Sequence, residues 1–355
     1  MTNTTYLILE NGMIFQGRSF GARGEVTGEI VFTTSMTGYV ETLTDPSYHG
    51  QIVLQTFPLI GNYGVIPADF ESPSIGAHAY IVKRPCQDPS NFRSEGNLDT
   101  FLKERGIVGL CGIDTRALTR VIRDHGVLNG KITAVPPTLA DRDEAAAYAV
   151  RDAVSSVSCV EANGESKTGT GTFRVVLMDF GAKRGISAAL EQRKCTTWRV
   201  PHDATATEIL ALNPHGIMLS NGPGDPADPA NDEIVKVIRT LEQSGVPIFG
   251  ICLGHQLLAL AHGHKTKKLK FGHRGANQPV RDTATGRVYI TSQNHGYAVV
   301  AEKGSFVNVN DSTCEGLDYG NSFSVQFHPE ARGGPLDTAF LFDRFVERMK
   351  HYATE

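Results

Sequence analysis

The sequence predicts an α/β protein: a C-terminal domain built on a mostly parallel sheet with helices on both faces, preceded by a β-rich α+β domain. Three observations carry this. From residue 173 onward, short apolar runs alternate with amphipathic stretches, which implies right-handed crossovers and a parallel sheet. Residues 1–154 instead carry short strand-like runs, many Gly and Thr residues and frequent turn signals. Between them, residues 155–172 (Ser-Ser-Val-Ser-Cys-Val-Glu-Ala-Asn-Gly-Glu-Ser-Lys-Thr-Gly-Thr-Gly-Thr) have too little apolar material to pack an element and read as a linker. The predicted domains are therefore 1–154 and 173–355.

In the first domain, Asp45-Pro46-Ser47-Tyr48 and Gly61-Asn62-Tyr63-Gly64 read as turns. One or two helices are expected, such as 114–124, which Asp114 or Thr115 can cap. In the second, the pattern gives a strand at 173–180, a helix through 186–190, a strand near 197–200 and a helix opened by Thr205. Glu208, three residues on, completes a capping-box signature. A strand at 216–220, a helix at 232–243, a strand at 246–251 and a helix after Cys252 follow. Residues 288–300 are strand formers around a polar centre, Asn294-His295-Gly296, which reads either as a break with a binding role or as a satisfied turn.

The chain has 355 residues, 40% of them apolar and 20% charged, enough for two domains with sizeable cores. A net charge of −4 gives no basic footprint for nucleic acid, and the cluster Lys265-Thr-Lys-Lys-Leu-Lys270 reads as a solvated surface or strand edge. Residues 1–10 lack the pattern of a secretory signal, and no stretch approaches the length of a membrane span. A cytoplasmic protein is expected. Six cysteines (86, 111, 159, 195, 252, 314) form no Cys-x-x-Cys pair, so reduced thiols are expected rather than disulfides or a thiolate metal site. His262 and His264 flank a glycine without an acidic or thiol neighbour, and no metal is assigned to them. No phosphate-binding loop occurs, so this chain is expected to hold no cofactor, and any ATP chemistry belongs on another protein.

The chemistry concentrates in three short motifs. Gly250-Ile-Cys252-Leu-Gly254 joins an apolar run to an apolar helix, the pattern of a nucleophile elbow, in which glycines let the chain bend sharply and the thiol is presented at a helix N-terminus. About 76 residues later, Phe327-His328-Pro329-Glu330 places a base and a carboxylate two apart in what reads as extended chain, where alternate side chains point the same way. Cys, His and Glu in that order supply a nucleophile, a base and a group to orient the base. The loop Asn221-Gly-Pro-Gly-Asp-Pro226 follows a strand and offers a stiff turn with backbone amides suited to hold an oxyanion.

Together these motifs resemble the class I, triad-type glutamine amidotransferases. Gly28-Glu-Ile-Val-Phe-Thr-Thr-Ser-Met-Thr-Gly-Tyr39, Leu43-Thr-Asp-Pro-Ser-Tyr48, Gly61-Asn-Tyr-Gly64 and Gly112-Ile-Asp-Thr-Arg-Ala-Leu-Thr-Arg120 narrow the resemblance to the small subunits of glutamine-hydrolysing carbamoyl phosphate synthetases, over about residues 6–350. The resemblance implies Cys252 as nucleophile, His328 as general base and acid, and Glu330 as its orienting group. It implies backbone amides of Leu253 and Gly224 as oxyanion donors. Glutamine contacts would fall on Ser47, Gly222, Gly224, Leu253, Gln256, Asn294, Gly296 and Tyr297, the last a Phe in many relatives. Because Ser47 is N-terminal, the resemblance implies a pocket completed by the first domain, which would also meet the synthetase.

The implied partner is the large synthetase subunit, in a heterodimer or a higher oligomer of heterodimers. It would use two ATP, Mg²⁺ and bicarbonate to make carbamoyl phosphate for arginine and pyrimidine synthesis. The competing readings are a stand-alone thiol hydrolase such as a γ-glutamyl peptidase, which the extra N-terminal domain disfavours, and a non-catalytic scaffold, which the intact triad disfavours. Amidotransferase components for anthranilate or guanylate synthesis share the C-terminal motifs but leave residues 1–150 unexplained.

Overall fold

The computed structural model describes residues 4–160 and 167–354. The chain divides into two compact units, Met1–Arg151 and Asp152–Glu355. In the first unit the strands are β1 (Thr4–Leu9), β2 (Ile14–Gly21), β3 (Val26–Thr33), β4 (Gln51–Gln55), β5 (Leu59–Ile60), β6 (Ala79–Val82), β7 (Arg84–Pro85), β8 (Val108–Cys111) and β9 (Leu128–Thr133). Seven of them close into a barrel in the order β1-β2-β8-β6-β4-β3-β9. The neighbours β3–β4, β4–β6 and β6–β8 run parallel, the others antiparallel. Closure leaves none of the seven as a free edge.

This unit holds more helix than its sequence suggests. Tyr39–Leu43, Leu98–Glu104, Thr115–His125 and Leu139–Ala147 are all helical. The first three bury small apolar stripes that a propensity reading of so short a segment underrates, and the fourth buries Ala145 and is capped by Asp141, which accepts Thr138 N–H at 2.7 Å. Asp114 is the cap of the third, its carboxylate accepting Ala117 N–H at 2.9 Å. The turn at 45–48 is a 3₁₀ turn, Pro46–Tyr48, opened by Asp45, which accepts Ser47 N–H at 2.9 Å. At 61–64, Gly64 N–H donates to Gly61 O at 3.0 Å.

The second unit contains β10 (Lys167–Thr168), β11 (Phe173–Asp179), β12 (Cys195–Pro201), β13 (Gly216–Leu219), β14 (Ile248–Ile251), β15 (Lys265–Asp282), β16 (Val288–Val300), β17 (Phe306–Asn308), β18 (Cys314–Asp318) and β19 (Phe323–Val325). They form one sheet in the order β10-β12-β11-β13-β14-β19-β18-β17-β15-β16. The expected parallel arrangement is its centre, β12-β11-β13-β14-β19. The remaining pairings are antiparallel.

Period-two alternation explains why both faces are covered. In β11, Val175 and Leu177 join the core that also holds Ile186, Leu190, Phe342 and Phe345. Val176 and Met178 point to the other core, with Ile209, Ile234, Ile238, Leu253 and Leu257. Thr205 and Glu208 form the expected capping box, and Asp232–Gln243 is the expected helix.

Three expectations are corrected. The linker of residues 155–172 is not uniformly without structure: Ala153–Val157 is helical, Lys167–Thr168 pairs with β12, and residues 161–166 lie outside the described residues. Asn294-His295-Gly296 neither breaks a strand nor forms a turn, since β16 runs through it, pairing His295 with His273 and Asn294 with Arg274. His328 and Glu330 are not in extended chain, because β19 ends at Val325 and a turn follows. Among the described residues no helix is long and apolar enough to cross a membrane.

Candidate active site

Four adjacent parallel strands end at one place, and each delivers a piece of the site. β14 runs into Cys252, β19 leads to His328 and Glu330, β13 leads to Gly222 and Gly224, and β11 leads to Lys183. Carboxyl ends of neighbouring parallel strands are where an open α/β sheet places ligands.

The elbow is built differently from the sequence expectation. Cys252 itself takes the left-handed backbone, with φ 55 and ψ −104, at the start of the helix Leu253–Ala261. Gly250 and Gly254 are needed for close approach instead: a Cβ on Gly250 would sit 2.6 Å from Gly254 O, and one on Gly254 only 2.3 Å from Leu219 O. The strain on Cys252 is held by Cys252 N–H donating to Val325 O at 2.9 Å and Gly254 N–H donating to Ser220 O at 3.0 Å. The thiol is 2% exposed, with Sγ 3.6 Å from Asn294 O.

His328 is also buried, and its Nδ1 lies 2.7 Å from Glu330 Oε1. Its Nε2 has no hydrogen-bond partner among the described residues. Burial and the Lys183 charge press the imidazole toward neutrality, but Glu330 and the Cys252 sulfur outweigh them, so its pKa stands above the usual histidine value. Burial alone would raise the Glu330 carboxyl; Lys183 and His328 instead hold it well below the usual carboxylate range. The same Oε1 that meets His328 also accepts Lys183 Nζ at 2.7 Å, with both side chains almost fully buried. The pair leaves Nδ1 of His328 engaged and Nε2 available for proton transfer beside the thiol.

The remaining candidates fall into three groups. Leu253 opens the helix after Cys252, and Gly224, with φ +91, packs against Ala153 so closely that a Cβ there would lie 2.8 Å from that methyl. Gly222 approaches Phe180 O, 2.2 Å from where a Cβ would sit. Gln256 donates to Tyr297 O at 2.8 Å and to Gln326 Oε1 at 3.0 Å, so it ties the elbow helix to β16. Asn294, Gly296 and Tyr297 lie on that one strand, with Asn294 O the atom 3.6 Å from the thiol. Ser47 belongs to the first unit, in the turn already described.

His262 meets Glu242 at 2.8 Å and stacks on Tyr319. A second group, His273, His295 and Glu315, has ligating atoms within 4.8 Å of one another. Glu315 accepts from Gln293 and Asn308 at 3.0 Å, and His273 Nε2 meets Asp311 at 2.9 Å while its Nδ1 stands 3.5 Å from Glu315 Oε1.

Comparison with known proteins accords with this geometry. Residues 7–132 match the carbamoyl-phosphate synthase small chain, CPSase domain, and residues 176–348 match glutamine amidotransferase class-I. The carbamoyl phosphate synthase small chain of Bacillus caldolyticus is 50% identical over 98% of this chain and 96% of its own length. The pyrimidine-specific small chain of Halalkalibacterium halodurans is likewise 50% identical, over 97% and 96%. The chain belongs to the carbamoyl phosphate synthase small-chain family.

Within a small chain of this kind, one member of the site escapes the motif reading. Lys183 lies in no recognisable motif, and its link to Glu330 exists only in the folded chain. The local signal that could have pointed to it is Asp179-Phe-Gly-Ala-Lys183: two charged residues bracketing a glycine turn at the end of a buried strand, at the same sheet end as the elbow.

Proposed function

We propose that this chain is the glutaminase of a glutamine-hydrolysing carbamoyl phosphate synthetase. The observation that carries the reading is the ordered set Cys252, His328, Glu330 at adjacent strand ends, with His328 held through Nδ1 and its Nε2 left for the thiol. Cys252 Sγ attacks the side-chain carbonyl carbon of L-glutamine as its proton passes to His328 Nε2. Backbone amides of Leu253 and Gly224 stabilise the oxyanion, a contribution of about 3–4 kcal/mol per donor where measured. His328 then protonates the departing nitrogen, the C–N bond breaks, and ammonia leaves a γ-glutamyl thioester. Water attacks the thioester carbonyl as His328 takes its proton, the C–S bond breaks to release glutamate, and that proton returns to the departing Cys252 sulfur.

Gly222, Gln256, Asn294, Gly296 and Tyr297 shape the glutamine pocket. Ammonia passes to a large synthetase subunit, which makes carbamoyl phosphate from bicarbonate with two ATP and Mg²⁺, supplying arginine and pyrimidine synthesis. The test is glutamate release by the purified chain against Cys252→Ser, with and without that subunit, ATP and bicarbonate. Turnover that needs Cys252 and rises with the partner supports the proposal. Cys252-dependent turnover indifferent to the partner would mean an independent hydrolase, and no turnover a scaffold.

A further inference from the structure

We propose that Asp179 is a positioning residue for glutamine hydrolysis, which fixes the turn that aims Lys183 at Glu330; the inference rests on the glutaminase reading. Asp179 ends β11 and is fully buried. It touches neither Cys252, His328 nor Glu330 by any hydrogen bond among the described residues, so the site itself gives no reason for a charge there. Its carboxylate is nevertheless saturated. Oδ1 accepts Gly181 N–H at 2.9 Å and Ala182 N–H at 2.7 Å. Oδ2 accepts Cys159 N–H at 2.7 Å, Arg199 Nε at 2.8 Å and Arg199 Nη2 at 2.6 Å. A buried carboxylate is tolerated only when its lone pairs are filled in this way.

The consequence falls on Lys183. Between β11 and the helix Arg184–Glu191 the chain has only residues 180–183. Phe180 N–H donates to Ser220 Oγ at 2.9 Å, Gly181 O accepts Asn221 Nδ2 at 2.9 Å, and Lys183 N–H donates to Asn221 Oδ1 at 3.0 Å. With Asp179 on Gly181 and Ala182, the turn's backbone is anchored at every residue. A lysine has a long, flexible stem, so landing Nζ 2.7 Å from Glu330 Oε1 in a buried site requires its backbone to be fixed first. Asp179 supplies that anchor from the strand side and Asn221 from the loop side.

The tie to Cys159 extends the same anchor. Ala153, in the helix preceding Cys159, is the residue against which Gly224 packs. The segment 153–159 therefore holds both the Gly224 loop and, through Asp179, the Lys183 turn.

The test is a double-mutant cycle on the full chain with the large subunit, following glutamate release across pH. Asp179→Ala should lower kcat about 10- to 100-fold, the scale of impaired proton transfer, with KM for glutamine changed less than about threefold. Because Lys183 holds the Glu330 carboxyl ionised, its displacement moves the acid limb of the profile to higher pH. Lys183→Met should do the same at least as strongly, and Asp179→Ala added to Lys183→Met should cost no more than about a further factor of two. Asp179→Asn keeps an oxygen for Gly181 and Ala182 and should recover most of kcat. If Asp179→Ala does not fold, Asp179→Asn carries the cycle, and its smaller loss must vanish in the Lys183→Met background.

Additive losses, or an acid limb that stays in place in a folded Asp179 variant, would overturn the inference. If Cys252→Ser turns over like wild type, the glutaminase reading itself fails; if Lys183→Met does, the positioning inference falls with Lys183. Loss in those two with none at Asp179 sinks only the positioning role.

Discussion

Each unit buries the stem of one lysine against carboxylates, and the two sites are built for opposite ends. In the barrel unit Lys131 meets three: Asp141 and Glu144 at 2.8 Å and Glu25 at 3.3 Å, with Glu25 and Glu144 about half exposed at 50% and 54%. In the second unit Lys183 meets Glu330 at 2.7 Å, at 9% and 0% side-chain exposure. The first arrangement is redundant and screened by water, so no single partner matters much. The second is dry, and its carboxylate is shared with His328, so each group sets the charge state of the others. An ion pair becomes chemically useful when no solvent relaxes it.

The sharpest way to break this contrast is at the thiol the buried pair serves. Cys252→Ser should reduce glutamate release by about 10⁴-fold or more, while the assembled complex still makes carbamoyl phosphate from supplied ammonia. Loss of both activities would make the position structural. Next, Lys183→Met and Lys131→Met compare the two lysines directly. The former leaves Glu330 buried without its cation, which costs on the order of 3–5 kcal/mol and most of the activity. The latter should lower stability by about 1 kcal/mol or less and leave glutaminase kinetics within twofold. Denaturant melts and glutamate assays decide it, and equal losses would erase the distinction.

The pH dependence is a smaller effect with a definite sign. Glu330 is held below the usual carboxylate range, so its stabilisation is present above about pH 4.3, the ordinary glutamate value, and lost as pH falls toward the depressed one. His328 is raised, so its contribution is complete below about pH 6.5 and fades as pH climbs through its higher native value. Glu330→Gln should flatten the acid side of the stability curve. Smallest of all is salt: raising ionic strength to about 1 M, where the screening length falls to about 3 Å, should weaken the Lys131 cluster and leave the Lys183–Glu330 pair nearly unchanged. That difference is visible by comparing the salt response of the two Met variants.

What the sequence discloses follows the distance over which each feature is encoded. The elbow, the His-Pro-Glu segment and the Asn-Gly-Pro-Gly loop are contiguous and carry their own geometry, so they are legible as motifs. The alternation of β11 through the helix after Cys252 is equally plain, because a buried parallel strand and its crossover helix differ in period. Barrel closure is not legible, since it depends on β3 pairing with β9 and β2 with β8, partners far apart in the chain. Lys183 is missed for the same reason. The strand through Asn294 is misread because polar residues mid-strand look like a break, whereas here Gln293 donates to buried Glu315, and Asn294 flanks the thiol. The backbone of Cys252 is hidden as well: the glycines on either side attract the expectation of an unusual dihedral that the cysteine carries.

That last detail bears on how such a chain can change over generations. A non-glycine residue at φ 55 works against folding, and glycine would relieve the strain. Selection for robustness alone would favour glycine at position 252, and on the proposed reading it is selection for turnover that keeps sulfur there. A lineage released from its metabolic duty should therefore lose the thiol early and keep the surrounding architecture. On the proposed reading, an intact cysteine at this bend is a record of continued use.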